Sequence, residues 1–257
     1  MADLKCVSTD GVAHVVFDRP RVLNALSPGL LEDLIEVCAD LAQSASVKVV
    51  VFQGAGNCFS AGADLPAFLD ALPGPDAHAV ADLGRLATNA IAELPQITVA
   101  GIRGHCVGGG LVLAGACDVR IAADDTRFTI PELDAGIPLA WGGMAHLVRL
   151  VGETITADLV LSCRPFGPDE ALRAGLISRI VPADRLEREL GALTAEISRK
   201  PLSVLRVTKR QLLAIRAGAF DAQADADAML AALEDPEALE MGREYIAQRI
   251  GVQGGTS

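Results

Sequence analysis

Apolar residues recur along the first two thirds of this chain in two alternating patterns. Short stretches such as Lys48–Phe52 and Ile97–Ile102 are almost continuously apolar, which predicts strands buried on both faces. Longer segments lie between the strands. Ser27 followed by Pro28 predicts the start of a helix that extends to about Gln43. Strands that alternate with helices in this way predict a parallel α/β architecture.

The rest of the chain continues this pattern less regularly. Further strands are predicted at Val12–Phe17, Val119–Ala122, Arg127–Ile130 and Leu176–Val181. Further helices are predicted near Ala77–Leu94, after Gly108–Gly110 through Ala116, and from Gly142 onward. The segment from Pro66 to about Asp76 is predicted to be an irregular loop, because two prolines and a glycine stand together in it. Beyond Pro201 the pattern is wholly helical, so this part is expected to pack on the body or on another subunit.

Composition and charge exclude several classes of protein. The net charge of −11 argues against nucleic-acid binding, which normally needs a basic face. The apolar stretches are too short to span a membrane, and the N-terminus shows no signal-peptide pattern. A cytoplasmic location is therefore expected, with the six scattered cysteines reduced and buried. The four histidines show no metal-ligand spacing, so no metal site is predicted.

Two glycine-rich segments, Cys58–Leu65 and Gly104–Gly110, each follow a predicted strand. Small residues allow a ligand to touch the backbone, and the start of a helix presents free N–H groups. Two such amides that converge on one oxygen would form an oxyanion hole. Neither segment fits the dinucleotide fingerprint or the phosphate loop, and the chain has no nucleophile elbow.

Together with Arg19–Leu26 and Phe128–Glu132, these segments resemble the crotonase (enoyl-CoA hydratase/isomerase) superfamily in their order and spacing. The resemblance implies a spiral of ββα units with two stacked parallel sheets over residues 1–198. It implies a C-terminal helical trimerisation region over residues 199–257. It also implies an acyl-CoA enzyme of fatty acid metabolism that assembles as a homotrimer or a dimer of trimers. Coenzyme A would be part of the substrate, and no cofactor would be permanently bound.

The resemblance further implies which residues form the site. The oxyanion-hole amides would be those of Ala63 and Gly109. The residues expected to contact coenzyme A are Arg21, Ala25, Ala61, Asp64 and Leu65. The family often has a lysine after the Asp-Leu pair, where this chain has Pro66. Arg21, or a C-terminal lysine such as Lys209, would have to supply that phosphate contact instead.

The reaction depends on which carboxylates are present. Hydratases of the superfamily, which are lyases, use two glutamates, and the corresponding positions here are Val112 and Glu132. Valine can neither orient water nor transfer a proton. A single base is sufficient to move a double bond from the β,γ to the α,β position, while the oxyanion hole stabilises the thioester enolate. Enoyl-CoA isomerases resemble this arrangement, so Glu132 is predicted to be the base, with its pKa raised by an apolar pocket.

Two alternatives remain open from the sequence. The chain could be an enoyl-CoA hydratase in which Asp70, Asp76 or His78 replaces the missing carboxylate. It could also be a non-catalytic acyl-CoA binding protein. The dienoyl-CoA isomerase reaction is disfavoured because Ala140 stands where those enzymes have an aspartate. Trp141, the single tryptophan of the chain, is expected either to shape the acyl pocket or to fill the core.

Overall fold

The computed structural model describes residues 3–72 and 74–253, without the side chains of 250–253. The strands are β1 (Leu4–Thr9), β2 (Val12–Phe17), β3 (Val49–Gly54), β4 (Ile97–Ile102), β5 (His105–Val107), β6 (Val119–Ala123), β7 (Arg127–Thr129) and β8 (Arg179–Val181). The helices are α1 (Pro28–Gln43), α2 (Leu65–Ala71), α3 (Ala77–Ala92), α4 (Gly109–Ala116), α5 (Gly143–Val151), α6 (Glu153–Ser162), α7 (Pro168–Arg173), α8 (Leu186–Ser198), α9 (Leu202–Arg216), α10 (Ala224–Glu234) and α11 (Pro236–Gln253).

The main sheet has the strand order β1-β2-β3-β4-β6-β8. Strand β1 runs antiparallel to β2, and every other neighbouring pair is parallel. Strands β5 and β7 form a second, smaller parallel pair. All residues of β4 are buried, and only the last residue of β3 is partly accessible. The predicted parallel α/β architecture is confirmed, and its central strands are buried on both faces as their apolar sequences indicated.

The helices cover the sheet and build the core. Helix α1 begins at the predicted position, where the Ser27 hydroxyl accepts a hydrogen bond of 3.3 Å from the Leu30 amide. It packs against α3, and α3 in turn packs against α4. Every residue of α4 is buried. The glycine-rich segment before α4 therefore opens a helix that runs through the interior.

Several elements differ from the sequence prediction. The segment expected to be an irregular loop contains helix α2. Pro66 lies in its first turn, where backbone N–H groups have no acceptor within the helix, so the N–H that proline lacks is not needed there. Strands β1 and β5 are additional, and β8 is shorter than predicted. Five cysteines are buried, but Cys6 is exposed on β1, so the expectation that all six are buried was wrong.

The chain divides into two compact units, Met1–Thr194 and Ala195–Ser257. The sequence placed this boundary after residue 198. The second unit is helical, as predicted beyond Pro201, and contains α9, α10 and α11. Its role in self-association stays a prediction. Within residues 3–72 and 74–253, every helix is too short or too polar to span a lipid bilayer.

Candidate active site

An apolar cavity of about 200 Å³ lies in the first unit, between α2, α3, the start of α4 and the segment that follows β7. The predicted site residues that line it are Ala63, Leu65, Gly109, Val112, Glu132 and Trp141. In the part of the chain that the structure describes, Glu132 is the only lining residue with an ionisable side chain. The two glycine-rich segments therefore meet at one cavity that contains one carboxylate.

The segments that carry Ala63 and Gly109 are in direct contact. A methyl group added at Gly62 would lie 2.8 Å from the Val107 carbonyl oxygen and 3.6 Å from the Gly109 nitrogen. The residues on either side of Ala63 pair with Leu26, through hydrogen bonds of 2.8 Å and 3.0 Å. Within the described residues, neither the Ala63 amide nor the Gly109 amide donates to a protein oxygen. Neither N–H group is thus engaged by the described part of the protein, as the predicted oxyanion hole requires, and their role in it stays a prediction.

Gly108 positions the carboxylate beside this pair of segments. Its backbone has φ 48° and ψ −119°, a conformation that side chains with a Cβ rarely adopt. Its amide donates to the Thr129 carbonyl at 2.9 Å, which ties the start of α4 to β7. A methyl group added at Gly108 would stand 2.3 Å from Oε1 of Glu132. The carboxyl group thus lies directly against the residue that precedes Gly109.

Glu132 lies in a turn after β7 and not in a helix, so it is not a first-turn carboxylate of a helix. Its Oε2 is buried and has no hydrogen-bond partner among the described residues. Burial raises the pKa of Glu132, because water no longer solvates the charged form, and a hydrogen bond from its own backbone amide opposes this only in part. A buried polar atom without a partner is rare in native proteins and requires an explanation. A ligand that donates a hydrogen bond or a proton would supply that partner.

Trp141 occupies the wall of the cavity next to Gly109. Methyl groups added at Gly84 and at Gly109 would lie 2.0 Å and 2.1 Å from carbon atoms of the indole ring. The Phe68 ring centroid lies 6.0 Å from the indole ring centroid, on the side of α2. Trp141 therefore lines the cavity and packs between α3 and α4, and its role in shaping an acyl pocket stays a prediction.

The remaining predicted contacts do not line this cavity. Arg21 is exposed and borders a separate surface depression. Asp64 caps α2 by accepting from the Ala67 amide at 3.4 Å. The Ala61 amide donates to the Leu23 carbonyl at 2.9 Å. Lys209 is fully buried, so it does not offer its ammonium group to a phosphate at the surface of this chain.

Arg19 is a structural residue that the sequence analysis did not single out. Its guanidinium donates 2.6 Å and 2.8 Å hydrogen bonds to the Ala25 carbonyl and to the Asp64 carboxylate. It also pairs with Asp3 at 3.1 Å. One side chain thus joins the Arg19–Leu26 segment to the N-terminus of α2, immediately after Ala63. The sequence signal for this ion pair was an arginine in the Arg19–Leu26 motif and an aspartate in the Cys58–Leu65 motif, two segments that were expected to meet at one site.

The residues proposed as replacements for the missing carboxylate do not line the cavity. Asp70, Asp76 and His78 are exposed, and none of them lines it. The positions that do line it in this part of the chain are Leu65, Phe68 and Leu69 on α2, Leu72 directly after α2, and Ala81 on α3. Ala140 also lines the cavity, so the aspartate that dienoyl-CoA isomerases would place there has no counterpart.

Sequence comparison connects this geometry to known proteins. The model of a family described as enoyl-CoA hydratase/isomerase matches residues 8–246. A probable enoyl-CoA hydratase of Mycobacterium bovis is 34% identical over 198 residues, which cover 77% of this chain and 76% of that protein. The mitochondrial Delta(3,5)-Delta(2,4)-dienoyl-CoA isomerase of Homo sapiens is 31% identical over 214 residues, which cover 79% of this chain and 65% of that protein.

Structural comparison agrees with the sequence matches. The crystal structure of an enoyl-CoA hydratase/carnithine racemase from Magnetospirillum magneticum superposes with a TM-score of 0.89 at 28% identity. The superposition covers 96% of this chain and 94% of that chain. Sequence family, fold and the meeting of the two glycine-rich segments thus lead to one conclusion: this chain belongs to the enoyl-CoA hydratase/isomerase family of the crotonase superfamily.

Proposed function

We propose that this protein is an enoyl-CoA isomerase that moves a double bond from the β,γ to the α,β position of an acyl-CoA, with Glu132 as its single base. The observation that carries this proposal is the composition of the cavity wall. Among the described residues that line it, one has an ionisable side chain, and that side chain has a buried oxygen without a partner. Hydratases of the superfamily have a second glutamate, and at that position this chain has Val112.

The first step is removal of a proton from Cα of a 3-enoyl-CoA. The Glu132 carboxylate accepts this proton, the electrons of the C–H bond form the enolate, and negative charge develops on the thioester oxygen. The amides of Ala63 and Gly109 donate hydrogen bonds to that oxygen. Removing one donor of this kind typically costs about 3–4 kcal/mol of transition-state stabilisation.

The second step returns the same proton to the substrate. The protonated Glu132 donates it to Cγ, the electron pair of the former β,γ double bond forms the new C–H bond, and the enolate collapses to the α,β-unsaturated thioester. The raised pKa of Glu132 suits this double role, because the group must both accept and release a proton near neutral pH. The apolar wall supports the intermediate by keeping water away from it.

The test is to supply the purified protein with a 3-enoyl-CoA and, separately, with a 2-enoyl-CoA. We expect conversion of the first to the conjugated thioester and little hydration of the second. Hydration of the 2-enoyl-CoA without isomerisation of the 3-enoyl-CoA would support the hydratase alternative. Tight binding without either conversion would support a non-catalytic acyl-CoA binding protein.

The assignment of the base is tested by Glu132→Gln. We expect the isomerase kcat to fall by about 10²–10⁴-fold, the usual contribution of a positioned proton-transfer group. Glu36→Gln is the matched control, because Glu36 is exposed on α1 and does not line the cavity. For the unmodified protein, kcat/KM should rise with pH through the raised pKa of Glu132. An unchanged rate in Glu132→Gln would rule out this base.

Self-association as a homotrimer or a dimer of trimers is part of the proposal. It is supported by apolar side chains that the C-terminal unit leaves exposed, namely Ile215, Met229, Leu230, Leu233 and Ile246. Light scattering of the purified protein measures the mass, which we expect to be three or six times that of one chain. A monomeric mass at micromolar concentration would contradict this assembly.

A further inference from the structure

The indole of Trp141 fills the side of the cavity that adjoins the oxyanion-hole amide of Gly109. The ring atom Cζ3 would lie 2.1 Å from a methyl group on Gly109, so the six-membered ring contacts the Gly109 backbone. Its atoms Cδ2 and Cε2 would lie 2.0 Å from a methyl group on Gly84 of α3. The absence of a side chain at both positions is what makes room for the indole.

The backbone at Trp141 is held in an unusual conformation. Its φ is +59°, in the left-handed region that bulky side chains rarely adopt. Gly142, the next residue, also has a positive φ of 76° and precedes α5. Strain of this kind persists where the surrounding structure over-determines it, and it concentrates at binding sites. Here it directs the largest side chain of the chain toward the start of α4.

The position of the indole limits the shape of an acyl group. A thioester oxygen held by the Gly109 amide brings Cα and Cβ of the acyl chain close to this residue, where the ring already occupies one side. The walls from α2 are more open, since Leu65 and Leu69 are 42% and 66% exposed. An unbranched chain can leave the site in that direction, whereas a substituent beside the thioester meets the indole.

We propose that Trp141, seated in the space left by Gly84, is a specificity-determining residue that excludes acyl groups branched next to the thioester. This inference rests on the proposed function, because it assumes that the thioester oxygen is bound at Ala63 and Gly109. The substrate class is then an acyl-CoA with an unbranched chain at Cα. The discrimination arises from shape alone and requires no additional polar contact.

The test measures binding rather than turnover. Calorimetry gives the dissociation constants of butanoyl-CoA and 2-methylbutanoyl-CoA, both saturated and therefore inert to isomerisation. We expect the unmodified protein to favour the unbranched ligand by about tenfold or more, the scale on which an apolar pocket distinguishes one methyl group. Trp141→Leu should remove most of this preference. Trp141→Phe replaces the indole with a smaller ring. It should remove part of the preference and retain the fold.

Two further variants separate shape selection from a general loss of packing. Phe166→Leu removes aromatic volume from the core, where the Phe166 ring stacks on Phe128 and does not line the cavity, and should leave the preference intact. Gly84→Ala should displace the indole, which should weaken binding and change the ratio of the two dissociation constants. Adding Trp141→Phe makes room for the new methyl group and should restore the binding of both ligands. An unchanged preference in both Trp141 variants overturns the inference and leaves the isomerase proposal standing. Failure of the unmodified protein to bind either acyl-CoA overturns both.

Discussion

At the scale of single residues, Glu132 lowers the stability of the fold when it is ionised, which is the state that the proposed reaction requires. Burial raises its pKa above the ordinary value of 4.5, so the folded chain keeps this proton to higher pH than the unfolded chain does. Stability therefore falls as pH rises from about 4.5 through the raised pKa, and it stays at the lower level above it. The ionised form, which the proposed proton abstraction requires, is the form that weakens the fold.

Glu132→Gln should therefore stabilise the protein selectively at high pH. Glutamine cannot ionise, so the variant should gain in free energy of unfolding relative to the unmodified protein at about pH 8, and gain little at about pH 4. Urea denaturation at both pH values measures the difference. Glu36→Gln, a change on the exposed face of α1, is measured alongside as the surface control. A gain of equal size at both pH values would contradict the raised pKa.

Gly108→Ala should reduce both stability and activity. The added methyl group requires Glu132 to move and forces a backbone conformation unfavourable for alanine, which together should cost about 1–3 kcal/mol or more. Gly29→Ala is the control, because Gly29 lies in α1 with nothing within 4 Å of an added methyl group. That change should stabilise the fold by about 0.4–1 kcal/mol and leave kcat unchanged. An active, stable Gly108→Ala variant would contradict the arrangement described for Glu132.

At the scale of elements, Arg19 couples two segments through one guanidinium group. Arg19→Met removes the donor to Oδ2 of Asp64 and to the Ala25 carbonyl, and should lower the free energy of unfolding by about 1–3 kcal/mol. Because α2 carries part of the cavity wall, kcat/KM should fall as well. Arg19→Lys should recover only part of the stability and part of kcat/KM, since an ammonium group lacks the planar, two-pronged geometry of the guanidinium group.

Arg85→Met provides the comparison for this prediction. Arg85 pairs with Asp82 on the exposed surface of α3, where solvent screens the pair, so its loss should affect stability much less. Chemical denaturation and initial rates measure both variants. Equal losses of stability and of kcat/KM in Arg19→Met and Arg85→Met would show that the Arg19–Asp64 pair contributes no more than an exposed surface pair.

The elements differed in how far sequence could predict them. Helix α1 was predictable because Ser27 and Pro28 give a local capping signal. Helix α2 was missed because the prolines around it were taken as loop residues, although Leu65, Phe68, Leu69 and Leu72 follow helical spacing. The four motifs predicted the family and the carboxylate of the cavity. The contact of Gly84 with Trp141 links distant parts of the chain, and local patterns do not encode it.

At the scale of the whole molecule, the net charge of −11 acts on a substrate that is itself a polyanion. Repulsion of this kind slows association and is screened as salt is added. We therefore expect kcat/KM to rise as ionic strength increases from about 10 mM to about 150 mM, over which the screening length falls from about 30 Å to about 8 Å. Stopped-flow binding or initial rates measure this dependence.

Arg21 is exposed at the border of a surface depression, and its contact with coenzyme A stays a prediction from the family resemblance. Arg21→Gln should raise KM with little change in kcat, and the increase should be greatest at low ionic strength. Arg173→Gln on α7 is a control that removes the same charge elsewhere in the chain and should have a smaller effect. A kcat/KM that falls with added salt would show that the local field around Arg21 outweighs the net charge.

The placement of Trp141 against Gly109 also makes the protein its own optical reporter. The chain contains a single tryptophan, so its ultraviolet emission comes chiefly from one wall of the cavity. A ligand that enters beside the indole should displace solvent from it and shift the emission spectrum. Occupancy of the site can then be followed in the unmodified protein without a label, including with acyl-CoA analogues that never react.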